Sequence, residues 1–291
     1  MGYGMAGNVR KNMAPSGVLY VYDVVPSACE RFVEEFRERG PIEIVKAPLE
    51  GVQQSHTLIS MVPNGANVRD IYLDGGEGSV INAFPADRLF LECSTIDVQS
   101  TREVGNEIMG RGLGHYVDAP VSGAEDNKSL AARIRKTALM MANPDKIVFC
   151  GQLGNGLAAK ICNNYLSFCN MLSIAEAMSI GIRLGVDKHT LFNCIKNSGG
   201  NSATFHNFQP CPGVVPHLPS SNGFKAGFRP LMTAKDLGLG VEAGEQTGIN
   251  ATMAKTALET FKKAMMDPRC KDRDATSVWL MINGLESVDD V

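Results

Sequence analysis

Apolar and polar positions alternate in blocks along the first half of the chain. Val18 to Asp23 is a short apolar run that closes on an acid, and Ile42 to Val45, Thr57 to Val62, Leu89 to Cys93 and Gly114 to Val117 are further runs of four to six residues. Runs of this length, bounded by Pro, Gly, Ser or Asp, predict buried strands. Between them the spacing turns helical. Ala28, Phe32, Val33 and Phe36 share one helix face, residues 65–73 and 101–110 are helical, and a first helix opens behind Gly2. Strands alternating with helices predict a parallel sheet covered on both faces, with ligands at the carboxyl ends of the strands. Asp23, Pro63, Thr95 and Ser122 all fall at strand ends.

The second half has a different pattern. Residues 157–184 read as one long helix, apolar on most sides, so it needs partners around it. Helices are also predicted over 187–196, 233–244 and 251–265, with a short one around Trp279. Residues 209–222 hold four prolines and read as an extended surface loop.

Two stretches carry candidate chemistry. Gly2 lies 21 residues before Asp23, the separation at which an acid past a glycine turn grips the ribose hydroxyls of a dinucleotide. Asp23 reads equally well as a strand-end turn residue. In the second stretch, Gly151, Gly154 and Gly156 precede a helical run in which Lys160 and Asn164 stand four apart, on one face. The small and apolar neighbours of Lys160 favour partial desolvation, which suits a lysine to proton transfer. The plainer alternative is a lysine snorkelling from an amphipathic helix.

Composition narrows the choice. The 291 residues suffice for two domains, and a net charge of -3 gives no electrostatic footprint for nucleic acid or an anionic membrane. The eight cysteines form no CxxC pair and read as reduced thiols of an intracellular protein, and the five histidines lack metal-ligand spacing. The apolar segment 165–185 contains Asn170, Glu176 and Arg183, which makes it a buried helix rather than a membrane span.

Seven stretches, in order, resemble the β-hydroxyacid dehydrogenase family. Residues 1–9 are similar to the second half of its GLGxMGxxMAxNL signature, and Tyr22-Asp23-Val24 to its cofactor-ribose site. Met61-Val62-Pro63 with Asn67 resembles the LPxxxN turn, Ser94-Thr95 the STIDP turn, and 118–123 the DAPVSGG loop. Residues 151–164 fit GxxGxGxxxKxxxN at every fixed position, and 227–239 resemble the GF…LMAKDLGLA stretch.

The resemblance implies an α/β Rossmann-type doubly wound domain over 1–152, followed by an all-helical substrate and oligomerisation domain over 153–291. It implies NAD(P)-dependent oxidation of a 3-hydroxy acid to a semialdehyde or keto acid, first among them 3-hydroxyisobutyrate of valine breakdown. Lys160 would be the general acid/base. Ser122, Gly123 and Asn164 would bind substrate, and Gly2, Asp23, Val62, Pro63, Asn67, Thr95 and Lys235 the cofactor. The acid at Asp23, followed by Val24, Val25 and Pro26 with no arginine, favours NAD over NADP. A homo-oligomer, no nucleic-acid or membrane partner and no metal are expected. The family is mitochondrial in eukaryotes, and a targeting segment would lie upstream of Met1. Two other readings stand beside this one. The first is a sibling reductase of tartronate semialdehyde, glyoxylate or succinic semialdehyde. The second is a non-catalytic homologue that keeps the helical domain and binds no cofactor.

The chain departs from the family pattern in three places. It begins inside the glycine loop, without the family's first strand, whose loss would expose neighbouring sheet edges. After Gly123 it lacks a strand-forming segment of about ten residues, running instead into Ala124 and Glu125. Ser198 to Ser202 stands where the family carries an SSGRCW loop, and lacks the arginine, cysteine and tryptophan.

Overall fold

The computed structural model describes residues 1–119, 128–225 and 227–287. They form two compact units, Met1–Lys160 and Ile161–Val291.

The first unit alternates helix and strand. Helix α1 (Gly2–Asn12) leads to β1 (Leu19–Val21), α2 (Pro26–Phe36), β2 (Ile42–Ile44), α3 (Pro48–Gln54) and β3 (Thr57–Ser60). Then come α4 (Gly65–Arg69), β4 (Leu89–Glu92), α5 (Val98–Gly110), β5 (His115–Asp118) and α6 (Lys128–Ala138). Among the described residues every pairing is parallel, as expected, but the strands form two sheets, β1-β2 and β3-β4-β5. Sequence patterning placed each of the five strands; it could not show that β1 and β3 do not pair.

β4 is the most buried strand, because both of its faces are covered. Its side chains alternate in direction, as the two-residue period of a strand requires. Leu89 and Leu91 join Cys93, Val117, Leu130 and Ile134, with Met5, Ile59 and Met61 packed against them. Phe90 faces the other way, into a cluster with Val52, Val68, Tyr72, Val104, Ile108 and Tyr116. α1 seats on α2 through Tyr3, whose ring meets Phe32 edge-on at 5.2 Å. Gly7 lets Phe36 come close, since a Cβ there would stand 2.7 Å from the ring. The turn after α1 is held by Arg10, which is fully buried and donates to the carbonyls of Gly17 (2.6 Å), Ala14 (2.8 Å) and Pro41 (3.2 Å).

α7 (Asn155–Arg183) begins in the first unit and continues into the second. It starts two residues earlier than the apolar pattern suggests, because its amino end is capped from a distance. Asp118, the last residue of β5, accepts from the Gly154 amide through Oδ1 and the Leu157 amide through Oδ2, both at 2.8 Å. A helix leaves its first amides unpaired, and a carboxylate there satisfies them and complements the positive end of the dipole. Gly151 and Gly154 take positive φ, 95° and 89°, which explains two of the three glycines in the motif. α7 is long and apolar enough to cross a membrane by length and composition, and half of its most apolar stretch is buried.

The second unit continues with α8 (Lys188–Lys196), α9 (Ala203–Asn207), α10 (Pro230–Thr247), α11 (Thr252–Ala264) and α12 (Val278–Asn283). Phe168 of α7 stacks on Phe228 at 5.4 Å, and both lie against a core that includes Phe205, Leu237, Phe261 and Trp279. α10 overruns its expected ends. It opens at Pro230, whose fixed φ suits a first turn, and stops at the left-handed Gly248 rather than at Gly244. The proline-rich stretch differs from its expected surface loop. Residues 209–212 are buried, with the Gln209 side chain accepting from the Cys211 amide and its carbonyl from Ser220 Oγ.

Asp118→Asn leaves one buried amide at the start of α7 facing an amide donor. Stability is expected to fall by about 2 kcal/mol, measured by urea denaturation followed by circular dichroism. An unchanged midpoint would show that the cap does not hold α7 in place.

Candidate functional site

The strand ends of the first unit gather the expected cofactor residues. Gly2, Asp23, Val62, Pro63 and Asn67 line one cavity of about 1310 Å³. Gly2 opens α1 against the turn after β3, where a Cβ on it would meet the Met61 carbonyl oxygen at 3.4 Å. Met1, the residue ahead of the helix, makes no side-chain cap. The first-turn amides of an eleven-residue helix thus carry no side-chain oxygen of their own cap, a setting that suits an anion. Asp23 is exposed beyond the end of β1, and its Oδ1 accepts from the Val25 amide at 2.9 Å. It therefore makes the strand-end turn while its carboxylate stays open to solvent, so the two readings of this residue are compatible. Arg31 lines the same cavity, with its guanidinium 5.3 Å over the Tyr3 ring.

Thr95 is buried in the turn after β4 and does not line the cavity. That turn is fixed by a residue that sequence reasoning passed over. Glu92 closes β4 and is fully buried. Its Oε1 accepts from the Ser94 amide at 2.9 Å and from Ser60 Oγ at 3.4 Å. Ser60 Oγ in turn lies 2.9 Å from the Tyr72 hydroxyl, and Ser94 Oγ accepts from the Val62 amide at 2.8 Å. One carboxyl group thus ties the turn after β4 to the turn after β3. Burial is the main reason its pKa is raised to about 7; the hydrogen bonds from Ser94 and Ser60 work against that rise. The sequence signal was an acid inside the apolar run Leu89 to Cys93.

Lys160 is half-buried on α7, one turn ahead of Asn164. Asn164 is buried and donates from Nδ2 to Asp236 Oδ2 at 2.7 Å, while its Oδ1 accepts from Asn163 at 3.2 Å. Lys235 pairs with the other oxygen of Asp236, Nζ to Oδ1, at 2.9 Å. Asp236 is nearly fully buried, and it joins two of the expected residues through one carboxylate. Its place directly after Lys235 in the Lys-Asp-Leu-Gly stretch was the available signal. Ser122 and Gly123, the expected substrate loop, lie outside the described residues, as does the start of the departure that follows them.

A parallel α/β unit with an acid and a helix amino end at its strand termini, followed by a helical unit, is an arrangement found in dinucleotide-dependent dehydrogenases. Comparison with known proteins agrees. Residues 1–148 match the NAD binding domain of 6-phosphogluconate dehydrogenase, and 154–282 the NAD-binding of NADP-dependent 3-hydroxyisobutyrate dehydrogenase. The mitochondrial 3-hydroxyisobutyrate dehydrogenase of Homo sapiens is 33% identical over 277 residues, 90% of this chain and 78% of that protein. A probable 3-hydroxyisobutyrate dehydrogenase of Mycobacterium tuberculosis is 33% identical over 237 residues, 78% of this chain and 79% of that one. The solved structure of Mycobacterium tuberculosis 3-hydroxyisobutyrate dehydrogenase with L-serine aligns with a TM-score of 0.80 at 30% identity, covering 99% of this chain and 96% of that one. The chain belongs to the 3-hydroxyisobutyrate dehydrogenase family of NAD(P)-dependent oxidoreductases, within the β-hydroxyacid dehydrogenases.

Glu92 predicts a pH effect on stability. A carboxyl group raised from 4.5 to about 7 binds a proton more tightly in the folded chain than in the unfolded one. Its contribution to stability is therefore greatest below pH 4.5, declines as pH rises through the window to about 7, and is a constant penalty above it. Integrated, that is on the order of 3 kcal/mol. Glu92→Gln is expected to flatten the drop in melting temperature between pH 5 and pH 8. A variant that loses stability over that range as steeply as the parent would contradict the assignment.

Proposed function

We propose that the chain oxidises 3-hydroxyisobutyrate to methylmalonate semialdehyde with NAD, with Lys160 as the general acid/base. The observation that carries this reading is the Lys160–Asn164 pair, one turn apart on a helix whose amino end is locked by Asp118, within a chain of this family. Bound NAD would supply the acceptor for the hydride that leaves the carbon bearing the hydroxyl. Lys160 takes the proton from the hydroxyl oxygen as the carbonyl forms, and returns it in the reverse direction. Asn164 keeps one Nδ2 hydrogen on Asp236 and turns the second toward the substrate carboxylate. Ser122 and the Gly123 amide would receive the same carboxylate, and Lys235 would reach the cofactor.

The residues present fit a dinucleotide at the points where they can be compared. The exposed Asp23 carboxylate suits two ribose hydroxyls and repels a 2′-phosphate, which favours NAD. Gly2, Val62, Pro63 and Asn67 line the cavity beside it, and Thr95 supports the neighbouring turn. A homo-oligomer is supported by α7, where Leu166 and Ile180 are 61% and 60% exposed, with Leu184 beyond its end at 79%. A role in valine breakdown goes with that substrate, and a mitochondrial location follows the mammalian relatives named as mitochondrial. A non-catalytic form is favoured by one observation, the division of the sheet beside the cofactor residues.

Titration of the purified chain with NAD separates the two. Binding in the micromolar range supports the enzyme, and no binding at millimolar NAD supports the non-catalytic form. With binding in hand, Lys160→Ala is expected to lower kcat on 3-hydroxyisobutyrate by roughly 10²–10⁴-fold while NAD affinity stays within about twofold. Full turnover by the variant would exclude Lys160 as the acid/base.

A further inference from the structure

Glu92 does not line the cofactor cavity, but it stands one hydrogen bond behind the wall. Ser60 and Val62 belong to that wall. Ser60 Oγ donates to Glu92 Oε1 at 3.4 Å, and the Val62 amide donates to the hydroxyl of Ser94, whose own amide donates to the same Oε1. The second oxygen, Oε2, is buried and has no hydrogen-bond partner among the described residues. A fully buried carboxyl group with one idle oxygen is costly to keep as an ion. The titratable groups that face it do not compensate. They are Tyr72 in the helical turn after α4, Tyr116 and Asp118 on β5, and Cys93 next along the chain, and none of the four is a cation. What this carboxyl group lacks is a positive charge.

A dinucleotide in the cavity would bring one. Asp23, beyond the end of β1, suits the adenosine ribose, and the amino end of α1 suits the diphosphate. That amino end abuts the turn after β3, where Gly2 lies against the Met61 carbonyl. The remaining half of the molecule is therefore led away from β1, toward the carboxyl ends of β3 and β4. Glu92 is the last residue of β4, which lies between β3 and β5. Lys160 points to the same end, because its helix starts from Asp118 at the end of β5. The ring that exchanges hydride is a cation when oxidised and neutral when reduced.

We propose that Glu92 is the buried counter-charge of the oxidised nicotinamide ring, and that binding of oxidised NAD sends the Glu92 proton into solvent. The proposal rests on the reading of this chain as an NAD enzyme. Burial raises the proton affinity of Glu92 so that its pKa is about 7, which leaves the proton only partly bound near neutral pH. A positive ring beyond the wall lowers that affinity again, because it favours the ion. By linkage, oxidised NAD binds more tightly as pH climbs to about 7, and its affinity levels off above that. The neutral reduced ring has no such dependence. Rising pH thus turns the site toward the oxidised cofactor, which is the form that hydroxyl oxidation consumes.

The experiment titrates oxidised NAD, NADH and ADP-ribose into the 291-residue chain by calorimetry at pH 5.5 and pH 8. ADP-ribose lacks the ring and reports on the adenosine half alone. Repeating the NAD titration at pH 6.5 in buffers of different ionisation enthalpy counts the protons released. The expected result is a gain of about fivefold in NAD affinity at the higher pH, with proton release, and no gain for NADH or ADP-ribose. Glu92→Gln loses the gain, and Lys160→Ala keeps it. A Glu92 that only braced the turns would lower all three affinities together in the Gln variant and leave the NAD slope with pH intact. If Glu92→Gln does not fold, Ser60→Ala gives the answer. It removes a hydrogen bond that favours the ion, so the midpoint of the gain moves to higher pH. NAD affinity equal at both pH values, a gain shared by NADH, a gain retained in Glu92→Gln or lost in Lys160→Ala, or an unmoved midpoint in Ser60→Ala would overturn the proposal and leave the enzyme reading standing. No binding of NAD at millimolar concentration at either pH would overturn the enzyme reading, and the proposal with it.

Discussion

The contact on which the candidate site rests is a single carboxylate, Asp118, holding two amides at the start of α7. Lys160 is useful only if its helix begins at a fixed place and angle. The three-glycine stretch ahead of it cannot provide that, because glycines widen the range of the backbone. The end of β5 does, since its position is set by the buried ladder to β4. The rigid sheet therefore dictates where the lysine helix starts, and the glycines only allow the chain to arrive there.

A second carboxyl group has a comparable role on the neighbouring strand. Glu92 is placed in the core because β4 is covered on both faces, and its cost of burial is only partly offset by Ser94 and by Ser60, with the hydroxyl of Tyr72 behind Ser60. The turns after β3 and β4 are loops by sequence, yet they share this network through the Val62 amide. Residues that would meet a cofactor are thus held by groups that would not.

Much of this was legible in the sequence. Strand and helix alternation over the first unit follows from the spacing of apolar residues, and the Gly151 to Asn164 stretch identified both the organising helix and its polar pair. What escaped was non-local. Asp118 read as belonging to a substrate loop, because nothing near it in sequence shows that its partners lie 36 and 39 residues on. Glu92 read as one letter in a strand, and Asp236 as a neighbour of Lys235. The buried Gln209 segment read as surface because prolines mark irregular backbone, not exposure. Patterns along a chain show which residues are apolar together; they do not show which buried polar atom will answer which.

Asp236 carries a consequence of a historical kind. Asn164 and Lys235 come from different helices and read as independent members of the site, but both end on the two oxygens of this one group. One replacement at position 236 would remove the shared partner of both. A lineage drifting away from this chemistry need not erode its site residue by residue. It could retain the lysine and the asparagine in its sequence long after losing the carboxylate that links them, and would then resemble an enzyme more closely than it behaved like one.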